Sequence, residues 1–240
     1  MAVMDRARSA MAVAGVCLLG LVVLNAAGAQ DDPRPCVPAA ALDIYIDQRW
    51  ERRVEAWRSL GGPQGGVVFL GSSIIEEGPW SQLFPGVETV NRGIGADTTV
   101  GVLKRLDDVA ALNPSKVFLY IGGNDFARFG EPVDAVAARL QSIVSELRAL
   151  DDPPEVYVHT LLAREAQHAE TIQAFNAALK DGGVGEATLL DVYPLFATPD
   201  GAMDPRYSND RIHLSIGAYQ AWADMIRSHV ETAETAASNP

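Results

Sequence analysis

Apolar residues recur along much of this chain at the three- and four-residue spacing of amphipathic helices. In one segment, Val136, Leu140, Ile143 and Leu147 fall on a single face of a helix, which is typical of a helix that covers a hydrophobic core. Glycine, proline and asparagine residues follow several of these segments, as expected at helix ends. Helices are therefore predicted over residues 41–60, 98–112, 132–150, 167–180 and 216–230.

Between these helices lie shorter runs that are mostly apolar, without the alternation expected of a half-exposed strand. They occupy residues 67–70, 89–90, 116–121, 156–161 and 187–192. Apolar strands that alternate with helices are typical of a parallel sheet buried by helices on both faces. We therefore predict an α/β fold of the three-layer α/β/α type, with a five-stranded parallel sheet as its central layer. In such a sheet, ligands bind at the carboxyl ends of the strands.

The N-terminus has the layout of a secretory signal peptide. Arg6 and Arg8 precede an apolar run over residues 10–24, and an Ala-Gly-Ala sequence at 27–29 supplies the small residues of a cleavage site. The apolar run is shorter than the roughly 20 residues that a membrane-spanning helix needs. We therefore expect residues 1–29 to be cleaved, with a retained anchor as the alternative. The mature protein is then expected in the periplasm or outside the cell, without stable membrane insertion.

The rest of the sequence predicts one folded domain over residues 41–232. Residues 30–40 are predicted to form a flexible arm and residues 233–240 a frayed tail. The chain has 240 residues and a net charge of −12, which opposes binding to the phosphate backbone of nucleic acids and to anionic lipid headgroups. Once the signal is removed, Cys36 is the only cysteine, so the fold does not depend on an intramolecular disulfide.

Four short segments stand out, and three of them follow predicted strands. They are Gly-Ser-Ser-Ile at 71–74, Asn-Arg-Gly-Ile-Gly-Ala at 91–96, Gly-Gly-Asn-Asp at 122–125 and Asp-Arg-Ile-His at 210–213. In this order they supply a serine nucleophile, donors for an oxyanion, and a histidine base with a carboxylate to orient it. Acyl transfer through a serine needs these groups.

Each segment alone also has a simpler interpretation. Ser73 could cap a helix, Ser72 competes with it for the role of nucleophile, and Asn124 suits an ordinary turn. The glycine-containing turn could cradle a phosphate, and His213 could be a packed loop histidine. Among the four histidines, however, only His213 has an aspartate three positions earlier in a short loop before a helix. Asp210 can reach its Nδ1–H, which leaves Nε2 to accept the serine proton.

Together these segments resemble, in order and spacing, the signature blocks of the SGNH hydrolases, also called the GDSL esterase/lipase superfamily. The resemblance implies Ser73 as nucleophile, His213 as base and Asp210 as the orienting carboxylate. It also implies an oxyanion hole formed by the backbone N–H groups of Ser73 and Ala96 and by the side chain of Asn124. A flavodoxin-like sheet is implied, with no metal and no organic cofactor.

Two positions depart from the family pattern. Ser72 stands where the family usually has aspartate, and Ala96 stands at the position of the oxyanion glycine. Alanine keeps the backbone N–H but adds a methyl group, and a positive φ there would cost roughly 1–3 kcal/mol of strain. We therefore expect a lower activity or a slightly reshaped oxyanion hole.

The resemblance implies a secreted serine esterase that acts on small-molecule or glycan esters. The sequence has no long insertion after the first or third predicted strand that would build a deep lid. This favours short acyl groups, such as acetyl esters of carbohydrates. A lysophospholipase or thioesterase of the same family is one alternative. A non-catalytic carbohydrate-binding relative and a flavodoxin-like phosphate or flavin binder are others, although the last gives the Asp-x-x-His segment no role.

Overall fold

The computed structural model of the protein describes residues 39–231. The chain divides into two compact units, Met1–Gln48 and Arg49–Pro240. In the first unit, the described residues form the beginning of helix α1 (Ala39–Leu60). The second unit contains the rest of this helix and all the other elements described below.

Most of the predicted terminal segments lie outside the described residues. This applies to the signal peptide over 1–29, to the tail over 233–240 and to nearly all of the arm over 30–40. Because α1 begins at Ala39, the last two residues of the predicted arm are helical. No helix within residues 39–231 is long and apolar enough to cross a membrane.

The centre of the second unit is the predicted five-stranded parallel sheet. Its strands are β1 (Val67–Gly71), β2 (Thr89–Gly93), β3 (Lys116–Tyr120), β4 (Glu155–His159) and β5 (Thr188–Leu190). They are hydrogen-bonded in the order β2-β1-β3-β4-β5, and every neighbouring pair is parallel. The prediction of a flavodoxin-like α/β sheet is therefore confirmed. β2 extends beyond its predicted end because the polar side chain of Asn91 is satisfied by a bond to the carbonyl of Ile75.

The helices agree with the predictions less closely. Those after α1 are α2 (Ser73–Glu77), α3 (Trp80–Leu83), α4 (Thr99–Leu103), α5 (Leu106–Ala110), α6 (Gly123–Phe129), α7 (Val133–Arg148), α8 (Ala169–Ala178), α9 (Tyr193–Phe196) and α10 (Ile216–Val230). The short helices α2, α3, α6 and α9 were not predicted, because four to seven residues carry too little periodicity.

The single helix predicted over residues 98–112 is wrong. The chain forms α4 and α5 instead, and the helical geometry is interrupted at Arg105, whose φ is −129°. The side chain of Arg105 is fully buried and pairs with Asp97. A buried charge needs such a partner, and the break in the helix allows that contact.

Aromatic side chains fill one face of the sheet. Phe69, Phe118 and Tyr157 lie opposite one another on β1, β3 and β4, and their rings stack with centroid separations of 5.2 and 4.6 Å. Trp80 of α3 stacks on Phe69 at 4.1 Å, and Trp222 of α10 packs edge-on against Trp80 at 5.7 Å. Aromatic pairs of this kind add to the free energy gained by burying their area. This packing fixes α3 and α10 on the sheet.

The strand order places a crevice between β1 and β3. From β1 the chain moves to β2 on one side, and it then returns to β3 on the other side. Such a reversal of direction leaves an opening at the carboxyl ends of the two central strands, where ligands of parallel sheets bind. Ser73 follows β1 and Asn124 follows β3, so both predicted site residues lie at this opening.

Candidate active site

Ser73 is the first residue of α2, immediately past the end of β1. The N-cap position belongs to Ser72, whose side chain makes no capping bond. Ser72 is buried, whereas Ser73 is half-buried. The helix cap that offered a simpler interpretation of Ser73 therefore falls on its neighbour, which leaves the Ser73 hydroxyl for its contact with His213.

His213 lies beside Ser73 although the two are 140 positions apart in the chain. Its Nε2 is 3.2 Å from the Ser73 Oγ, and its Nδ1 is 2.7 Å from the Asp210 Oδ2. A carboxylate can only accept a hydrogen bond, so Nδ1 carries the proton that it donates to Asp210. Nε2 is then the unprotonated nitrogen that accepts the bond from the Ser73 hydroxyl. This is the orientation that a histidine general base requires.

Asp210 is held ionised by the loop that carries it. Partial burial would raise the pKa of the Asp210 carboxyl, but hydrogen bonds from the His213 ring and from the backbone N–H groups of His213 and Ile212 lower it to about 2. The two backbone bonds to its Oδ1 measure 2.8 and 2.9 Å, and the Ser208 hydroxyl donates a third at 3.1 Å. Arg211 turns the chain between these groups at a φ of 65°. The carboxylate is therefore charged throughout the neutral range.

Residues 94–97, here called the oxyanion turn, follow β2. The Asp97 N–H donates to the Ile94 carbonyl at 3.1 Å and closes the turn. Ala96 has a φ of 64°, a left-handed conformation that favours glycine. The backbone strain expected for an alanine at a positive φ is therefore present. Within residues 39–231, the backbone N–H groups of Ala96 and Ser73 donate to no acceptor. Both predicted donors are thus free to bind an oxyanion.

Asn124 lies on the first turn of α6 and contacts the oxyanion turn directly. Its Nδ2 donates to the Asp97 carbonyl at 2.9 Å. A side-chain amide has two N–H groups, so the second remains for a ligand. The structure therefore connects Asn124 to the turn that carries Ala96.

A buried ion pair lies beneath the oxyanion turn, and sequence reasoning missed it. Arg105 and Asp97 are 2.8 Å apart, with side chains 0% and 2% exposed. Burial lowers the pKa of Arg105 and raises that of Asp97, although each partner opposes the shift of the other. Arg105 also donates to the Gly71 carbonyl at 3.1 Å, and Trp50 donates to Asp97 at 3.1 Å. No glycine or proline lies next to Arg105, so nothing in the sequence marks the break in the helix that brings its side chain inward.

A second carboxylate lies near the base. Glu77 Oε1 is 3.8 Å from the His213 Nε2, and about half of the Glu77 side chain is exposed. It faces the nitrogen that the Ser73 hydroxyl contacts, on the opposite side of the ring from Asp210. Sequence reasoning missed Glu77, since its position on α2 follows only once that helix is known.

The other described histidines lie away from this group. His159 is buried in β4, where desolvation lowers its pKa to about 3 despite a bond from its Nδ1 side to the Leu119 carbonyl. His168 belongs to a short 3-10 turn, Ala166–His168, and His229 to the last turn of α10. Only His213 lies within hydrogen-bonding distance of both a serine and an aspartate among the residues that the structure describes.

The described side chains also bear on whether the site could hold a metal ion. In the described part of the chain, no cluster of three or more histidine, cysteine, aspartate or glutamate residues could hold a metal ion. The absence of a metal and of an organic cofactor stays a prediction. What the site offers chemically is a serine hydroxyl hydrogen-bonded to a base, with candidate oxyanion donors on Ser73, Ala96 and Asn124.

Comparisons with known proteins find similarity to this chain in sequence and in fold. The chain is 27% identical over 205 residues to the platelet-activating factor acetylhydrolase IB subunit alpha2 of Rattus norvegicus, covering 79% of this chain and 87% of that protein. A solved structure from Streptococcus pneumoniae, of a protein named as a platelet activating factor, superposes with a TM-score of 0.72 at 24% identity, covering 80% and 97% of the two chains. The acetylxylan esterase Axe2 of Geobacillus stearothermophilus gives a TM-score of 0.56 at 18% identity, covering 71% and 96%.

The comparison that decides the family covers most of the folded chain. The profile of the GDSL-like lipase/acylhydrolase family matches residues 49–221, which include all the elements from β1 to the first turns of α10. The resemblance inferred from the four sequence segments is therefore confirmed. The chain belongs to the GDSL-like lipase/acylhydrolase family, and it is a carboxylic ester hydrolase.

Proposed function

We propose that the protein hydrolyses esters through a covalent acyl-enzyme on Ser73. The observation that carries this proposal is a pair of linked contacts. Ser73 Oγ lies 3.2 Å from His213 Nε2, and His213 Nδ1 lies 2.7 Å from Asp210 Oδ2. A serine hydroxyl is a weak nucleophile until an adjacent base accepts its proton. The neighbouring free donors supply the second requirement, since they can bind the negative charge that forms on the ester oxygen.

The reaction begins when Ser73 Oγ attacks the ester carbonyl carbon and its proton moves to His213 Nε2. The carbonyl oxygen becomes an oxyanion, which accepts hydrogen bonds from the Ser73 and Ala96 N–H groups and from the Asn124 amide. Collapse of this intermediate breaks the bond to the alcohol oxygen, which takes the proton from Nε2 as it leaves. A water molecule then attacks the acyl-enzyme, with His213 as base again, and the acid is released. Asp210 stabilises the imidazolium in both halves.

We propose a short acyl group, with acetyl esters of carbohydrates as the substrate class. Two of the matched proteins are named for acetyl chemistry, the rat acetylhydrolase subunit and the Geobacillus acetylxylan esterase. The side chains of His213 and Asp210 are 36% and 53% exposed, so the base can be reached by a bulky alcohol such as a sugar chain. The acetyl ester of a phospholipid is the second candidate, and the name of the rat relative favours it.

We also propose that the protein acts in the periplasm or outside the cell. The support is the order of segments within residues 1–29, where basic residues precede an apolar run and an Ala-Gly-Ala sequence. This order is typical of a secretory signal. N-terminal sequencing of the protein from culture fractions tests this, with a mature chain that begins at Gln30 as the expected result. A chain that retains Met1 in the cytosol would contradict it.

The substrate proposal is tested with a panel of esters and a matched inactive variant. Aryl esters with acyl chains of two to eight carbons are assayed beside acetylated xylo-oligosaccharides and an acetylated glycerophospholipid. One additional methylene in the acyl chain can change kcat/KM by about 10–200-fold in a pocket that discriminates chain length. We expect the highest kcat/KM for acetyl and for the sugar ester, and no turnover in Ser73→Ala. Preference for the phospholipid would favour the second candidate. Binding of the oligosaccharide without turnover would identify a non-catalytic carbohydrate-binding relative.

A further inference from the structure

We propose that Glu76 is a positioning residue that holds the oxyanion turn against the helix of the nucleophile. The proposal rests on the function proposed above, since the turn has a catalytic role only if Ser73 forms a tetrahedral intermediate. Glu76 does not face the reacting atoms. It acts through the backbone of Gly95, which directly precedes Ala96.

The carboxylate of Glu76 connects the two halves of the predicted oxyanion hole. It lies on α2, three residues after Ser73, and its Oε2 accepts a hydrogen bond from the Gly95 N–H at 2.9 Å. The next backbone N–H in the chain, that of Ala96, is the one predicted to bind the oxyanion. One side chain therefore fixes the distance between the element that carries the nucleophile and the turn that carries the donor.

Two arginines keep this carboxylate in a single orientation. Arg49 Nη2 donates to Glu76 Oε1 and Oε2 at 2.7 and 2.6 Å, and Arg53 Nη2 lies 3.2 Å from Oε1. Only 14% of the Glu76 side chain is exposed. Charge-assisted bonds to both oxygens are stronger and more directional than neutral ones. Glu76 Oε2, which accepts the bond from the Gly95 N–H, is thus also held by Arg49.

The backbones in this region approach one another closely, and glycines make that possible. A Cβ atom at Gly93 would collide with the backbone nitrogen of Glu76, and a Cβ atom at Gly95 would collide with the Arg49 guanidinium. A side chain at Gly93 would push α2 and β2 apart, whereas one at Gly95 would displace the end of the Arg49 side chain. The close approach of the two backbones at Gly93 therefore brings the Glu76 side chain within reach of the Gly95 N–H.

The helix that carries Glu76 is itself fixed by side chains from distant elements. Tyr219 of α10 donates to the Ile74 carbonyl at 2.7 Å. The Ile75 carbonyl accepts bonds from Asn91 at 2.8 Å and from Trp80 at 2.9 Å. These bonds add side-chain partners to carbonyls near the C-terminus of a helix of only five residues. A rigid α2 makes Glu76 an effective support for the turn.

The turn needs such a support because of its conformation. Ala96 is held at a φ of 64°, which an alanine seldom adopts, so the turn would relax if its bonds were lost. An oxyanion donor acts only when it is already oriented toward the developing charge. Loss of the Glu76 contact should therefore weaken stabilisation of the transition state more than binding of the substrate.

The test compares three variants of the full-length protein with an acetyl ester as substrate. Glu76→Ala removes the acceptor of the Gly95 N–H, whereas Glu76→Gln keeps a carbonyl oxygen there. Arg49→Met keeps the Glu76 carboxylate and removes its principal ion-pair partner. We expect Glu76→Ala to lower kcat by about 10-fold with KM little changed, less than the 10²–10³-fold loss caused by removing a donor itself. Glu76→Gln should remain within about threefold of the unmodified protein, since it preserves an acceptor for the Gly95 N–H. Arg49→Met should lower kcat less than Glu76→Ala, since it loosens the carboxylate but leaves the acceptor in place.

Amide hydrogen exchange in the unmodified protein tests the same contact without any variant. The Gly95 N–H is bonded to Glu76 and should exchange at least about 10-fold more slowly than the Ala96 N–H, which has no acceptor in the described structure. Equal exchange of the two amides would overturn the proposal. So would an unchanged kcat in a folded Glu76→Ala variant, a loss confined to KM, or an equal loss in Arg49→Met.

Failure of this proposal can be told apart from failure of the proposed function. Labelling of Ser73 by a fluorophosphonate in the unmodified protein tests the function alone. If Ser73 is labelled and Glu76→Ala is as active as the unmodified protein, only the positioning role is wrong. If Ser73 is not labelled, the nucleophile is wrong whatever Glu76 does.

Discussion

The two halves of the candidate site are built in different ways. The base lies on a loop in which residues 208–213 supply the bonds to Asp210 that the described structure shows, and the side chains of His213 and Asp210 are about one third and one half exposed. The nucleophile and the oxyanion turn lie on short segments held by side chains from far along the chain. Arg105 bonds to Gly71 across 34 positions, and Tyr219 bonds to Ile74 across 145.

This difference shows which groups of the site depend on the whole fold for their orientation. The base half is a local turn, so its geometry depends on a few neighbouring residues. The nucleophile half needs the sheet, the buried ion pair of Asp97 with Arg105, and the contacts of α2 at the same time. Substitutions far from the crevice should therefore disturb the nucleophile half much more than the base half.

The largest effect is expected where the two halves meet. Ser73→Ala and His213→Ala should each lower kcat by roughly 10⁴-fold or more, because the nucleophile and its base act as one unit. Steady-state kinetics on an acetyl ester measure this, with circular dichroism as the check on folding. Ser72→Ala is the matched control and should stay near the activity of the unmodified protein. A severe loss in Ser72→Ala with an active Ser73→Ala would show that the neighbouring serine is the nucleophile.

The next largest effect concerns the buried ion pair beneath the oxyanion turn. Arg105→Met leaves the Asp97 carboxylate buried without its partner, which should lower the free energy of unfolding by about 3–5 kcal/mol. Chemical denaturation measures this change. The control is Arg206→Ala, which breaks an ion pair with Asp204 in which Arg206 is mostly exposed and should change stability far less. Similar losses in the two variants would contradict the view that the nucleophile half depends on the distant network.

Asn124→Ala should affect catalysis more than stability. Removing one side-chain donor from an oxyanion hole lowers kcat by about 10²–10³-fold, and KM should change little because the bond forms mainly in the transition state. The comparison of kcat and KM across several acyl lengths measures this. A rise in KM with kcat preserved would mean that Asn124 binds substrate without stabilising the oxyanion.

Below neutral pH, stability should depend on a histidine outside the site. Burial lowers the pKa of His159 from 6.5 to about 3, so between these values the unfolded chain binds a proton that the folded chain does not. The free energy of unfolding should then fall as the pH drops from about 6.5 toward 3. His159→Phe should flatten this slope, measured by denaturation at several pH values, while His168→Gln serves as the control for loss of a histidine. An unchanged slope in His159→Phe would show that the ring is protonated in the folded state.

The smallest effect is expected at Ala96. Ala96→Gly keeps the backbone N–H and relieves the strain of a positive φ, so kcat should be preserved or raised and stability should change by about 1 kcal/mol or less. If the methyl group packs against the acyl group, the change should appear as a shift in acyl-length preference instead. Loss of kcat at every acyl length would mean that this turn does not carry the oxyanion donor.

The features that could be predicted from the sequence are those that depend on neighbouring residues. The apolar strands and the Asp-x-x-His loop are local patterns, so the parallel sheet and the pairing of Asp210 with His213 could be read from nearby residues. The roles of Ser73 and Asn124 are implied by the family resemblance, and the strand order places both residues at one opening of the sheet. Arg105 and Glu76 could not be found in this way, because their partners lie 8 and 19 positions away on other elements. Nothing near them in the sequence marks those contacts.

Covalent labelling with a fluorophosphonate, followed by peptide mapping, tests the central claim most directly. The reagent reacts only with a serine that a base has activated and leaves a tetrahedral group in the oxyanion hole. The account predicts one labelled residue, Ser73, with labelling lost in His213→Ala and slowed in Asn124→Ala. Label on Ser72, or label on Ser73 that does not depend on His213, would contradict it.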